Sequence, residues 1–277
     1  MNPPSVPNPA NTTNVTVRSV ALTAPLRWLA LGWQDMVRAR WLSLSHGIVL
    51  AGFGLVLLTV AHHQFWLLAG AFSGFLVVAP VLATSLYAIS RALAHQRPVR
   101  LALLYETWLS WQQSRFAEAG GYWCLVRFGV LLALAGTGWV MTSAALITLM
   151  APAQVHAPID FLRHVVLAPD NFLFEAWLFM GGVLAAPIFA SSVISMPLML
   201  DRRVTLMTAV LTSWRVVLAN PAPMAVWAGL IMLLVLLGFA TALLALVVLL
   251  PILGHASWHA YDELVDASAL SQRPLGP

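Results

Sequence analysis

The sequence predicts an all-α integral membrane protein with six transmembrane helices, arranged as three hairpins that each follow an amphipathic surface helix. Composition is the first reason. The 277 residues are 60% hydrophobic and 9% charged, with a mean hydropathy of +0.85. A soluble domain carries about a quarter charged residues, and so few charges cannot cover a surface facing water. Apolar runs of crossing length are the second reason. The third is an internal repeat. GFLVVAPVLATS at 74–85 returns as GGVLAAPIFASS at 181–192, identical at Gly74/Gly181, Ala79/Ala186, Pro80/Pro187, Ala83/Ala190 and Ser85/Ser192. A short Arg-containing segment and an amphipathic helix follow each copy, so the same parts recur in the same order.

Residues 1–19 are rich in Pro, Asn and Thr. They read as a flexible tail, without the basic-then-apolar pattern of a cleavable signal peptide. Residues 23–40 form an amphipathic helix, with Thr23 as N-cap and Pro25 in the first turn. Leu26, Leu29, Trp33, Met36 and Val37 make its apolar stripe. Arg27, Gln34, Asp35, Arg38 and Arg40 lie mostly on the other side, as expected for a helix at headgroup level.

The first span is expected at about 42–61, long enough for the roughly 30 Å hydrocarbon core. A turn at His62–His63–Gln64 leads to the second span, about 65–90, which contains Pro80. A second surface helix is expected at 98–117, then a Gly120–Gly121 break and a third span at about 123–150. A Pro-rich loop at 151–171, with a short helix at 159–167, precedes the fourth span at about 172–199. The third surface helix covers 201–219. A single helix over the apolar run 222–262 would be about 60 Å long. That is twice the core, so the run divides at Gly238–Thr241 into spans at about 222–238 and 241–261. The domain plan is a tail at 1–19, one membrane domain at 20–265 and a disordered tail at 266–277.

The second helix of each hairpin carries a proline: Pro80, Pro187 and Pro251. A mid-helix proline removes a backbone hydrogen bond and kinks the helix, so these three are expected to be structural hinges. All 14 basic residues are arginines. Thirteen fall on the proposed cytoplasmic side, counting Arg127 one turn inside the third span, and only Arg163 lies in an outer loop. This positive-inside bias places both termini in the cytoplasm of a bacterial inner membrane. The arginines are scattered rather than gathered on one basic face, so no nucleic-acid partner is expected.

His255 and His259 lie one helical turn apart and Glu263 extends their face. That spacing can hold a metal or haem. The competing reading is an interfacial belt with Trp258 and Tyr261. His62, His63, His156 and His164 lie in outer loops, where solvated histidines are ordinary. Ser191, Ser192 and Ser195 form a polar stripe beside Pro187, either lining a solute path or packing helices. Charged residues deep in a span are nearly absent, which argues against a proton-coupled pump. The single Cys124 leaves no disulfide or CxxC site. There is no nucleophile–base–acid motif, P-loop or dinucleotide fingerprint. No enzymatic activity and no cofactor are therefore expected.

PLRWLALGWQDM (25–36), GFLVVAPVLATSLYAISRAL (74–93), residues 195–227 and LPILGHASWHAYDELV (250–265) resemble a bacterial family of predicted integral membrane proteins of unknown function. Some of its members carry a cytochrome c oxidase subunit label. A catalytic oxidase subunit needs histidines deep in several spans, and these are missing. The resemblance therefore implies an accessory or assembly subunit. The expected function is that of a non-catalytic component that binds the lipid bilayer and other membrane subunits. The alternative is a small-solute transporter or channel built on the proline-kinked helices.

Overall fold

A computed structural model describes residues 15–60, 64–113, 123–168 and 172–273. The expected turn at His62–His63, the Gly120–Gly121 break and most of the N-terminal tail lie outside them. The helices in chain order are α1 (Ala24–Ala39), α2 (Trp41–Val60), α3 (Phe65–Leu82), α4 (Thr84–Ala94), α5 (Leu101–Gln113), α6 (Trp123–Met150), α7 (Pro158–Phe161), α8 (Leu173–Ser192), α9 (Ser195–Asp201), α10 (Leu206–Ala219), α11 (Pro221–Ala240) and α12 (Leu246–Leu264). A π-helical turn, Leu162–Val166, continues α7. Two short strands, β1 (Thr16–Val17) and β2 (Val265–Asp266), pair antiparallel. Among the described residues, four helices are long and apolar enough to cross a membrane: Trp41–Val60, Cys124–Met150, Leu173–Asp201 and Pro221–Ala240.

Helix α12 is the hub, packed by α1, α2, α4, α9 and α11. Two glycines let neighbours approach its backbone. A Cβ on Gly47 of α2 would stand 2.1 Å from the Val247 carbonyl oxygen, and one on Gly32 of α1 would stand 2.6 Å from Ile252 O. The Val247 contact has a cause in sequence. Pro251 has no N–H to offer the carbonyl four residues back, and that carbonyl is the one Gly47 meets. Glycine is the residue that allows so close an approach.

The repeated motifs do more than kink. The span expected at 65–90 breaks at Ala83, which closes α3 by donating its N–H to Ala79 O at 2.8 Å. The Thr84 hydroxyl bonds back to Val81 O. The chain then enters the interior: every residue from Thr84 to Ala92 is buried. The span expected at 172–199 breaks in the same way at Val193–Ile194, and all of α9 is buried. Pro187 and Pro251 themselves sit inside unbroken helix, and α3 continues past Pro80 to Leu82. The breaks fall three residues after Pro80 and six after Pro187, so the hinge point is displaced from the proline.

The last hairpin differs from expectation at its turn. Helix α11 runs to Ala240, and α12 begins at Leu246 rather than 241. Ala242 and Leu243 take positive φ, 50° and 71°, conformations costly for residues with a Cβ. The Thr241 hydroxyl oxygen accepts from Ala245 N at 3.0 Å and caps the turn. The other surface helices are shorter than their sequence ranges: α5 starts at Leu101, and α10 starts at Leu206 behind its N-cap Thr205.

Two expectations near the termini need correction. Helix α1 exposes Leu26, Trp33 and Val37 as anticipated. Its opposite face, however, holds Trp28, Gly32, Asp35 and Ala39 against the protein rather than in water. The segments expected as free tails are also tied down. Thr16–Val17 pairs with Val265–Asp266, and Arg18 forms an ion pair with Asp266 at 2.9 Å. Arg273 is buried and its N–H donates to Asp201 O at 2.8 Å. Backbone groups with partners to satisfy extend the ordered body on both sides of 20–265.

Within α2, Gly47→Ala should lower the thermal unfolding midpoint in detergent, with a cost of about 1–3 kcal/mol from overpacking against the α12 backbone. Gly52→Ala, where the new methyl meets nothing within 4 Å, should be neutral or up to about 1 kcal/mol stabilising. Equal effects at the two positions would refute the proposed seating of α2 on α12.

Candidate functional site

His255 and His259 come together with side chains from three other helices. The His255 ring lies between two serines: Nε2 is 2.8 Å from Ser43 Oγ on α2, and Nδ1 is 2.7 Å from Ser90 Oγ on α4. Ser90 donates its proton to Asp35 Oδ2 on α1, at 2.8 Å. It can therefore only accept from His255, which puts the ring proton on Nδ1 and leaves Nε2 to accept from Ser43. His259 Nε2 donates to the same Asp35 oxygen at 2.8 Å.

This chain of partners, Ser43–His255–Ser90–Asp35–His259, has the order of a nucleophile, base and orienting acid. Ser43, Ser90 and His255 are all fully buried, however. The network is a clamp across four helices. Each buried polar atom in it has a partner, as burial requires. Burial pushes the Asp35 carboxyl up, but the hydrogen bonds from His259 and Ser90 and the nearby imidazoles outweigh it and hold the group below its ordinary value.

Among the described residues, no group of three His, Cys, Asp or Glu side chains is arranged to hold a metal ion. Glu263 does not extend the His255–His259 face. It pairs instead with Arg27 and accepts from Trp28 Nε1 at 2.8 Å. Trp28 in turn stands edge-on to Trp227, with ring centroids 5.6 Å apart.

A second buried carboxylate, Asp201 at the end of α9, gathers the ends of the three proline-bearing segments. Arg91 Nε from α4 lies 2.8 Å from Oδ1, an ion-pair contact rather than a well-aligned hydrogen bond. Tyr261 of α12 donates to Oδ2 at 2.8 Å, and Arg202 Nε donates to it at 2.7 Å. Arg273 Nε donates to Met199 O at 2.7 Å and locks the C-terminal segment onto the same place. The sequence flagged none of these as a site. Arg91, Asp201 and Tyr261 follow Pro80, Pro187 and Pro251 at different distances, 11, 14 and 10 residues, and their spacing carried no signal.

The three proline segments also surround a cavity of about 310 Å³. Ala79, Leu82 and Ala83 line it from the first, Ala185, Ile188 and Phe189 from the second, and Leu250, Leu253 and Gly254 from the third, with Ile231 and Val235 of α11 between them. Its polar members are His46, Tyr87, Ser192 and Ser257. Of the serine stripe, only Ser192 reaches it. Ser191 accepts from Trp214 Nε1 at 2.9 Å, and the Ser195 hydroxyl bonds back to Ser191 O. Of the outer-loop histidines, His156 Nε2 pairs with Gln154 at 3.0 Å.

At the opposite end of the chain's long helices, Trp177 of α8 packs on Phe161, Phe174 and Trp139, and its Nε1 donates to Ser143 at 2.6 Å. This cluster anchors the loop that carries α7. Asp160 caps that helix by accepting from the His156 and Ala157 N–H groups.

Residues 65–201 match the model of a family described as predicted integral membrane protein (DUF2189). The match opens at the first residue of α3, closes on Asp201, and contains both copies of the repeat. No curated protein matches the chain, and no solved structure does. The apolar helices and the family match together identify an integral membrane protein seated in a lipid bilayer.

Asp35→Asn should destabilise the fold by about 1–3 kcal/mol at neutral pH, the cost of weakening a buried charged hydrogen-bond acceptor. A depressed carboxyl contributes stability above its unfolded value, about 3.9, and loses it as pH falls through the folded value. The gap in unfolding midpoint between wild type and variant should therefore close in acid. A gap that stays constant from neutral pH down to about pH 3 would contradict this account.

Proposed function

We propose that this protein is a non-catalytic binding component of the bacterial inner membrane, with six crossings arranged as three hairpins and both termini in the cytoplasm, and that it holds the apolar chain of a bilayer lipid. The cavity carries this reading. It lies where all three hairpins meet, and its lining is almost wholly apolar. The buried polar groups of the protein are meanwhile engaged in holding helices together. An apolar, concave, largely preformed space with a few polar groups is the general form of a small-molecule site.

Six crossings add α3 and α12 to the four long apolar helices. At 18 and 19 residues they reach about 27 and 28 Å, near the roughly 30 Å of the core. The pairing of β1 with β2 brings the two ends of the described chain together, which supports an even number of crossings. The arginine distribution supports the cytoplasm as that side. An accessory place beside a respiratory oxidase is what the sequence resemblance adds to this reading. Passage of a small solute is the second reading, favoured by Ser192, Ser257 and His46 in the lining. The apolar remainder suits a lipid chain better than a polar solute.

Protein purified in mild detergent should carry a co-purified lipid, recovered by extraction and mass spectrometry. Ala185→Phe, which puts a ring into the cavity from an exposed position on α8, should cut its recovery about tenfold, a loss of about 1.4 kcal/mol. Undiminished recovery in a folded variant would remove the cavity as the binding place. For the topology, Arg163→Cys should react with a membrane-impermeant maleimide in intact spheroplasts, and Arg18→Cys only after permeabilisation. Reaction at both positions in intact spheroplasts would overturn the arrangement.

A further inference from the structure

Three of the cavity's four polar side chains share a property that an apolar site does not require: His46, Ser192 and Ser257 each direct a proton at a backbone carbonyl. His46 Nδ1 lies 2.7 Å from Leu42 O. A carbonyl can only accept, so Nδ1 carries the hydrogen and the neutral ring presents a bare lone pair at Nε2. His46 makes no other hydrogen bond among the described residues, and it lines the cavity. The Ser257 hydroxyl donates to Leu253 O at 2.7 Å. The Ser192 hydroxyl points at Phe189 O, 3.4 Å away. The backbone adds no donor where it borders the space, since Ala83 N–H is bonded to Ala79 O and Val193 N–H to Phe189 O. The cavity therefore offers His46 Nε2 as an acceptor without a donor from the protein, and the protons of His46, Ser192 and Ser257 are engaged.

We infer that the cavity selects a neutral long-chain lipid bearing a free hydroxyl, which donates to His46 Nε2, over a carboxylate, ester or ether of the same chain length. This rests on the lipid-holding reading above and names the chemistry of the lipid. A hydroxyl completes the one unfilled acceptor. An ether or ester fills the apolar volume and leaves His46 Nε2 without a donor, and an unmet buried polar group is costly. A carboxylate brings negative charge to a lining of lone pairs in a low-dielectric space, which is worse. A hydroxyl that donates to His46 has its own lone pairs left for water at the partly open side of the cavity.

The test is binding of radiolabelled 1-hexadecanol to the full chain in detergent, competed by unlabelled 1-hexadecanol, hexadecanoate and methyl hexadecyl ether. The alcohol should compete at least about tenfold better than the other two. His46→Phe should remove that preference by weakening the alcohol alone. His46→Gln, which keeps an acceptor on the helix, should retain most of the preference and covers the case in which His46→Phe does not fold. Equal competition by all three compounds, or better competition by the carboxylate, overturns the inference and leaves the lipid cavity standing. Binding of the alcohol no greater than to Ala185→Phe removes the underlying reading itself.

Discussion

A carboxylate taken out of water must be surrounded by donors or neutralised, and this chain buries two. Asp35 and Asp201 are only 4% and 5% exposed. Meeting their requirements determines where the interior helices lie. Asp35 draws α1 to α12 through His259 and to α4 through Ser90. Asp201 draws α9 to α4 through Arg91 and to α12 through Tyr261. The two sites share α4 and α12, so they form one cross-braced unit. Lost registry among α1, α4, α9 and α12 would strand a buried charge.

The sequence made the membrane class and the long apolar helices legible, because these rest on composition and spacing. It could not show that the second half of each repeat turns inward. Thr84–Ala92 and Ser195–Asp201 are apolar enough to be lipid-facing, and only the tertiary fold reveals that they are enclosed by protein. Asp35 was misjudged for a related reason. On a helix with arginines beside it, an aspartate reads as solvent-facing. Its burial depends on His259, more than two hundred residues away. The His255–His259 pair was found by spacing, which was right about their shared face. Spacing could not reveal that serines and an aspartate, rather than an ion, would satisfy them.

The prolines act less as bends than as preparation for contact. Pro251 leaves the Val247 carbonyl for Gly47 to approach, and the segments around Pro80, Pro187 and Pro251 jointly wall the cavity. The three segments share one space, so none needs a complete pocket of its own. Arg91 and Tyr261, beyond the first and third prolines, meet at Asp201, which ends the second segment.

The pairing of β1 with β2 and of α1 with α12 has a consequence for how the protein is made. Helix α1 is synthesised before α12, its main partner. At about 5–20 residues per second, it waits for tens of seconds before α12 emerges from the ribosome. During that time Trp28 and Asp35 have no interior to enter. The outward stripe of Leu26, Trp33 and Val37 then serves as a mooring, keeping the nascent amphipathic segment at the bilayer surface until its partner arrives. Docking of α1 thus waits on α12, and a ribosome stalled short of Leu246 would leave α1 without its main partner.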